Sequence, residues 1–149
     1  MSVRCRVALS AALVLCAQVL CAPAALADGI EPGLWRIITR IETGGAASPA
    51  QQSAKCVTPE QAKNLTATFA PAPRMVNSEC GPIEQSLEGN RFRWKLICTG
   101  QLDMELTGDY TFIDPQHYSA TVWTRTAMGG RPMSETRTTL YAERVSECP

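Results

Sequence analysis

Apolar and polar residues alternate along most of the second half of the chain, as in β-strands with one buried face. The alternation runs up to Gly89-Asn90, resumes until Thr99-Gly100, and continues from there to an Asp-Pro-Gln turn at residues 114–116. A further alternating segment, residues 118–128, is followed by Gly129-Gly130 and a last strand. Gly-Asn between two alternating segments is typical of a two-residue hairpin turn. The pattern therefore predicts consecutive antiparallel strands joined by short turns.

The turns also predict how these strands pair. A two-residue turn places Leu87 opposite Phe92. A three-residue loop at residues 99–101 places Cys98 opposite Leu102. Both turns keep the apolar residues on one face of the sheet, so the turn chemistry and the hydrophobic pattern agree.

Charged residues occupy the other face of the predicted hairpin. The predicted register places Arg91 opposite Asp109 and Lys95 opposite Glu105, as cross-strand ion pairs on a solvated face. The alternative is a carboxylate dyad or a calcium site formed by Asp103, Glu105 and Asp109. The neighbouring basic residues favour the ion pairs.

The first half of the chain carries two more predicted strands and one helix. Residues 34–41 alternate cleanly, and a second strand follows at Gln51–Val57. The sequence Thr58-Pro59-Glu60-Gln61 has the pattern of a capping box, which predicts a short helix that ends near Asn64. Residues 65–82 are rich in proline and alanine and are predicted to form a loop.

Together these elements predict an all-β domain. We expect an antiparallel meander of six or seven strands, a curled sheet or barrel-like, with one short helix and two disulfides. Six aromatic residues fall on the inward face of this sheet, where they either pack the core or line a cavity and contact an apolar ligand. The six are Trp35, Phe92, Trp94, Tyr110, Phe112 and Tyr118.

Residues 1–27 have the layout of a secretory signal peptide. Two arginines precede an apolar segment at residues 7–22, and Ala25-Leu26-Ala27 matches a small-x-small cleavage site. The apolar segment is short for a membrane span. We expect cleavage after Ala27, a single β domain over residues 28–149, and a periplasmic or secreted protein with no membrane span after cleavage.

Export of the chain would make disulfide formation the expected state of its cysteines. Four of the seven cysteines lie beyond the predicted signal peptide, and an oxidising compartment favours disulfides between them. Wide, irregular spacings without a CxxC pair argue against zinc. Pairing Cys56 with Cys80 and Cys98 with Cys148 would tether the loop at residues 65–82 and is favoured. The rival is Cys80–Cys98 with Cys56–Cys148, because Cys80 and Cys98 lie near each other at the open end of one hairpin.

The charge balance and the motifs of the chain exclude several classes of function. The 149 residues carry 14 basic and 14 acidic side chains, so the chain has no electrostatic footprint for nucleic acid. The single histidine, His117, follows the Asp-Pro-Gln turn and has no catalytic motif beside it. Met128 and Met133 are too few for a Cu(I) site. We predict no catalytic residue, metal or cofactor, and an enzyme that uses His117 stays a minor alternative.

Four motifs follow one another along the chain, with a cysteine close to the C-terminus. They are Glu31-Pro32-Gly33-Leu34-Trp35, Cys56-Val57-Thr58-Pro59-Glu60, Cys98-Thr99-Gly100 and Met128-Gly129-Gly130-Arg131-Pro132-Met133. In this order they resemble the family known as domain of unknown function 3617, over nearly all of residues 28–149. The resemblance implies an exported bacterial protein with a small β-fold and no assigned activity. Members often carry methionines in the loop after the first strand, where this chain has residues 44–49.

Export, the aromatic inward face and the lack of catalytic motifs lead to one functional prediction. We expect a non-catalytic envelope protein that binds a small apolar ligand or another envelope component. The alternative is a structural or assembly factor that acts through a sheet edge, with Gln51–Val57 as the exposed edge strand.

Overall fold

The computed structural model describes residues 29–72 and 77–149, so the predicted signal peptide lies outside the described residues. Nine strands form one open antiparallel sheet, which confirms the all-β prediction, and two short helices lie between the third and fourth strands. The strands are β1 (Gly33–Thr43), β2 (Ala46–Ala47), β3 (Gln51–Val57), β4 (Ser78–Cys80), β5 (Glu84–Glu88), β6 (Arg91–Gly100), β7 (Asp103–Asp114), β8 (His117–Met128) and β9 (Arg131–Ser146). The helices are α1 (Pro59–Lys63) and α2 (Leu65–Phe69).

The sheet is a meander whose last strand returns to the first. Strands β6, β7, β8 and β9 pair consecutively, and β9 then pairs with β1. At one edge β2 and β3 both pair with β1, and at the other edge β4 and β5 both pair with β6. The sheet has more than the expected six or seven strands because β2 and β4, with two and three residues, are too short to show an alternating pattern.

One hairpin has the predicted register and the next is shifted. The Gly89-Asn90 hairpin pairs as predicted. In the β6–β7 hairpin Cys98 lies opposite Met104 and not opposite Leu102, so this part of the predicted register was wrong. The cause is a wider connection, since β6 continues to Gly100 before the chain turns. A shift of two residues leaves every side chain on its predicted face.

Both helices begin with a side-chain cap. The backbone N–H of Gln61 donates to Thr58 Oγ1 at 3.3 Å, and the N–H of Thr58 donates to Gln61 Oε1 at 3.0 Å, which confirms the capping box. The second helix lies where a loop was predicted. Asn64 ends α1 and also caps α2, because its Oδ1 accepts from the N–H of Ala67 at 3.0 Å.

The two faces of the sheet differ in character. The face formed by Trp35 and the even-numbered residues of β6 to β9 is called the aromatic face, and Phe69 of α2 packs against it. The face formed by the odd-numbered residues of β6 to β9 is called the polar face, and charged and hydroxyl side chains dominate it. The largest buried core residues, at most 5% exposed, are Trp35, Phe92, Trp94, Leu96, Tyr110, Phe112 and Tyr118.

The disulfides follow the rival pairing, and the favoured pairing was wrong. Cys80 and Cys98 are joined across β4 and β6, where they lie directly opposite each other. Cys56 in β3 is joined to Cys148, with their Cα atoms 5.5 Å apart. The sheet order explains this, because β3 pairs with β1, and β1 also pairs with β9, which leads to the C-terminus.

Candidate functional site

The six aromatic residues that were predicted to face inward, either as core or as ligand contacts, lie in the core of the protein. All six are at most 5% exposed. Phe69 packs against four of them, with ring centroids 4.7 to 6.5 Å from its own. Burial raises the pKa of Tyr110 to about 12 and also raises the pKa of Tyr118. These rings contact one another, and their role as ligand contacts stays a prediction.

A pocket of about 540 Å³ lies at the end of the sheet formed by the β6–β7 and β8–β9 turns. Apolar side chains make up much of its lining: Ile97, Met104, Ala127, Pro132 and Met133. Ile97 is 43% exposed and Met133 is 58% exposed, whereas Met104 packs partly against the core. We call this site the apolar pocket.

A β-bulge in β9 lies beside the apolar pocket. Thr126 pairs with Ser134, but Ala127 pairs with Pro132, so Met133 is the extra residue of β9. Bulges of this kind re-aim side chains at the ends of sheets. Met133 therefore lines the pocket without a direct cross-strand partner on β8.

Arg125 forms ion pairs with two carboxylates at the rim of the apolar pocket, which also includes Asp103. Arg125 Nε lies 2.6 Å from Glu135 Oε2, and Arg125 Nη1 lies 3.4 Å from Glu105 Oε1. The hydrogen bond to Glu135 raises the pKa of Arg125. The rim therefore has an excess of negative charge, beside which the apolar residues form the rest of the lining.

A larger groove of about 910 Å³ crosses the polar face. The strand register arranges its side chains in rows that run from β6 to β9, and we call it the polar groove. The rows are Lys95, Thr107, Trp123 and Arg137; Arg93, Asp109, Thr121 and Thr139; and Arg91, Thr111 and Ser119.

Both predicted ion pairs are present, but they connect diagonal neighbours. Arg91 lies opposite Thr111, and its guanidinium reaches Asp109 with two hydrogen bonds, one of them 2.7 Å from Nε to Oδ1. Lys95 Nζ lies 3.3 Å from Glu105 Oε2. The hydrogen bond between Arg91 and Asp109 lowers the pKa of the carboxyl and raises the pKa of the guanidinium. The two-residue register shift thus exchanges direct contacts for diagonal ones within side-chain reach.

Two arginine side chains lie beside the ring of Trp123, and one of them, Arg137, lines the polar groove. The guanidinium carbon of Arg137 is 5.5 Å from the centroid of the Trp123 ring, and that of Arg125 is 5.9 Å from it. Trp123 and Arg137 also line a cavity of about 340 Å³ beside the β1–β2 turn. The tryptophan therefore borders two concave surfaces.

A family model with the description Protein of unknown function (DUF3617) matches residues 30–148. The chain belongs to the DUF3617 family. Searches of curated proteins and of solved structures find no match. The matched region contains every strand of this DUF3617 protein, together with the apolar pocket and the polar groove.

His117 of this DUF3617 protein lies apart from both cavities. Its Nδ1 is 2.8 Å from the Asp114 carboxylate, and its ring stacks on Tyr141 with centroids 6.4 Å apart. The N–H of Gln116 and the His117 ring both hydrogen-bond to Asp114 and lower its pKa. His117 lines neither the apolar pocket nor the polar groove. The contact closes the turn between β7 and β8.

Residues 29–72 and 77–149 contain no group of three or more histidine, cysteine, aspartate or glutamate side chains placed to hold a metal ion. No helix in this part of the DUF3617 chain has the length and apolar character needed to cross a membrane.

The sequence analysis missed Trp123, Arg137 and Phe69. Trp123 is a large aromatic residue on the polar side of an alternating strand, so its exception to the pattern was the available signal. Arg137 carries no such signal, because its place beside Trp123 depends on the β8–β9 register. Phe69 follows a helix cap, Asn64, that a search for strands does not detect.

Proposed function

We propose that the protein is exported and acts as a non-catalytic binding protein for a small apolar ligand, which occupies the apolar pocket. The main support is the lining of that pocket, because five apolar residues are among those that border a volume of about 540 Å³. Ligand pockets in proteins commonly measure about 300–1,000 Å³ and are mostly apolar. The signal-peptide pattern of residues 1–27 supports export.

The chemistry of the pocket suits an apolar ligand of variable shape. Burial of apolar surface contributes roughly 25 cal/mol per Å², so covering exposed Ile97 and Met133 favours binding. Methionine has a flexible, polarisable thioether that adapts to different ligand shapes. Because Arg125 is already paired with Glu105 and Glu135, the rim offers no unpaired cation to an anionic ligand.

Titration with the fluorescent apolar probe N-phenyl-1-naphthylamine tests this function. We expect saturable binding by the oxidised protein, weakened about three- to tenfold in Met133→Gln, because the polar amide removes apolar contact area. Met128→Gln is the matched control, since Met128 is 49% exposed in the same hairpin and does not line the pocket. Absence of saturable binding, or equal weakening in both variants, would contradict the proposed function.

A second candidate function uses β3 as a docking edge for an extended segment of an envelope protein. β3 pairs with β1, and six of its seven residues are exposed. An exposed strand edge offers unpaired backbone groups for strand addition. A photo-crosslinking residue at Gln52 should capture the partner, whereas the same residue at Thr139, in the middle of the sheet, should not. Equal capture at both positions would argue against an edge interaction.

A further inference from the structure

We propose that the polar groove is a second binding site and that its ligand is a saccharide carrying carboxylate groups. The site shares no lining residue with the apolar pocket, so it does not depend on the proposed function. Its volume of about 910 Å³ accommodates a short oligosaccharide. Within the described residues the groove combines hydroxyl groups, an aromatic ring and an arginine without an ionic partner.

Hydroxyl side chains form the floor of the groove. Thr107, Thr111, Ser119, Thr121 and Thr139 all lie on the polar face and line the groove. Within the described residues none of these hydroxyls has a hydrogen-bond partner, whereas other surface hydroxyls of the sheet, such as those of Thr126 and Ser134, bond to each other at 2.8 Å. Unpaired hydroxyls that can both donate and accept match a polyhydroxylated ligand.

Trp123 supplies an aromatic surface beside these hydroxyls. It is half-buried and lies directly opposite Thr107 on β7 and Arg137 on β9. Sugar rings present C–H groups to aromatic faces while their hydroxyls reach polar neighbours, and tryptophan offers a large, rigid surface for such contact. The other two tryptophans, Trp35 and Trp94, are at most 4% exposed and belong to the core.

Arg137 distinguishes an acidic saccharide from a neutral one. The groove is lined by four cations and two carboxylates, and the cations of β6 are paired with Asp109, Glu88 or Glu105. Within residues 29–72 and 77–149 Arg137 makes no ion pair, although Glu42 is its register partner on β1. A guanidinium can bind a carboxylate through two parallel hydrogen bonds. Its contact with an aromatic ring leaves the positive charge in place.

The probe is trigalacturonic acid, and maltotriose is the neutral ligand of matched length. Isothermal titration of the oxidised protein should give saturable heat with the acidic trisaccharide and at least tenfold weaker binding of the neutral one. Raising the salt concentration should lower the affinity for the acidic trisaccharide, because exposed charges are screened. Tryptophan fluorescence of the native protein should change when the ligand binds. This change should be absent in Trp123→Phe.

Two arginine variants separate a binding role from general surface charge. Arg137→Gln should weaken the binding of trigalacturonic acid at least tenfold. Arg40→Gln should leave binding unchanged, because Arg40 is exposed on β1 beside Thr139 and does not line the groove. Arg137 is also exposed, so Arg137→Gln tests the proposal even where Trp123→Phe does not fold. No saturable heat up to about 1 mM ligand, equal binding of maltotriose, or equal loss in both arginine variants overturns the proposal.

Discussion

The indole ring of Trp94 lies directly over Gly108 on the neighbouring strand. The two residues are register partners of β6 and β7, and Trp94 is 4% exposed. A Cβ atom added at Gly108 would overlap the indole ring. A glycine in the middle of a long strand is normally a weak point, but here it provides the space in which the largest side chain of β6 is buried.

We therefore expect Gly108→Ala to destabilise the fold. The added methyl group must displace Trp94 or the backbone, which should lower the free energy of unfolding by about 1–3 kcal/mol. Gly81→Ala is the matched control, because a Cβ there would meet its nearest neighbour, the Ile97 carbonyl oxygen, at an ordinary 3.8 Å. Urea denaturation of both variants measures the difference. Equal free energies of unfolding would show that the ring does not need the glycine.

The second prediction concerns the disulfides. Peptide mapping without reduction should recover Cys56 joined to Cys148 and Cys80 joined to Cys98. Replacing Cys56 and Cys148 together by alanine should lower the free energy of unfolding by about 2–4 kcal/mol, because the bond closes a long loop of the unfolded chain. The reduced native protein should be destabilised at least as much. A peptide that joins Cys56 to Cys80 would contradict this connectivity.

The third prediction concerns acid stability. The hydrogen bond from Arg91 holds the pKa of Asp109 below its ordinary value in the folded state. A carboxyl whose folded pKa is depressed stabilises the fold above its unfolded pKa and loses that contribution as the pH falls through the folded pKa. Both side chains are partly exposed, so the contribution should be only about 0.2–1 kcal/mol and should start to decrease as the pH falls below about 4.

Asp109→Asn tests this acid dependence. The variant should be less stable than the native protein at pH 7 and should lose less stability on acidification. Glu88→Gln is a suitable control, because the Glu88 side chain is 71% exposed and its contact with Arg93 is 3.8 Å long. Chemical denaturation at several pH values gives the two profiles. An Asp109→Asn profile parallel to that of the native protein would mean that the ion pair contributes nothing.

Local signals in the sequence account for most of the fold. Alternation predicted the long strands, and the capping residues Thr58 and Gln61 predicted α1, because both signals depend on neighbouring residues. The predicted partner of Cys98 was wrong because the length of a loop depends on the packing of whole strands. The shift to Met104 kept each face intact, so the polar face was predicted correctly even though its direct partners were not.

The candidate sites were harder to predict, because they depend on contacts between distant strands. Ile97 and Met133 line one pocket although they belong to strands that do not pair with each other. Arg137 meets Trp123 only when β8 and β9 pair in the observed register. The inward aromatic residues were predicted correctly as a set, but the residue that packs among them, Phe69, comes from a helix that was expected to be a loop.

The last prediction concerns Phe69, which attaches α2 to the sheet. Its ring lies 4.7 Å from that of Tyr110 and 5.2 Å from that of Tyr118, and its carbonyl accepts a 3.4 Å hydrogen bond from the Tyr110 hydroxyl. Phe69→Ala should remove these ring contacts and lower the free energy of unfolding by about 2–3 kcal/mol, less than for a fully buried phenylalanine because Phe69 is partly buried. Leu87→Ala should cost less than about 1 kcal/mol, because Leu87 is 46% exposed. If the two variants lose equal stability in urea denaturation, α2 is not anchored to the aromatic face.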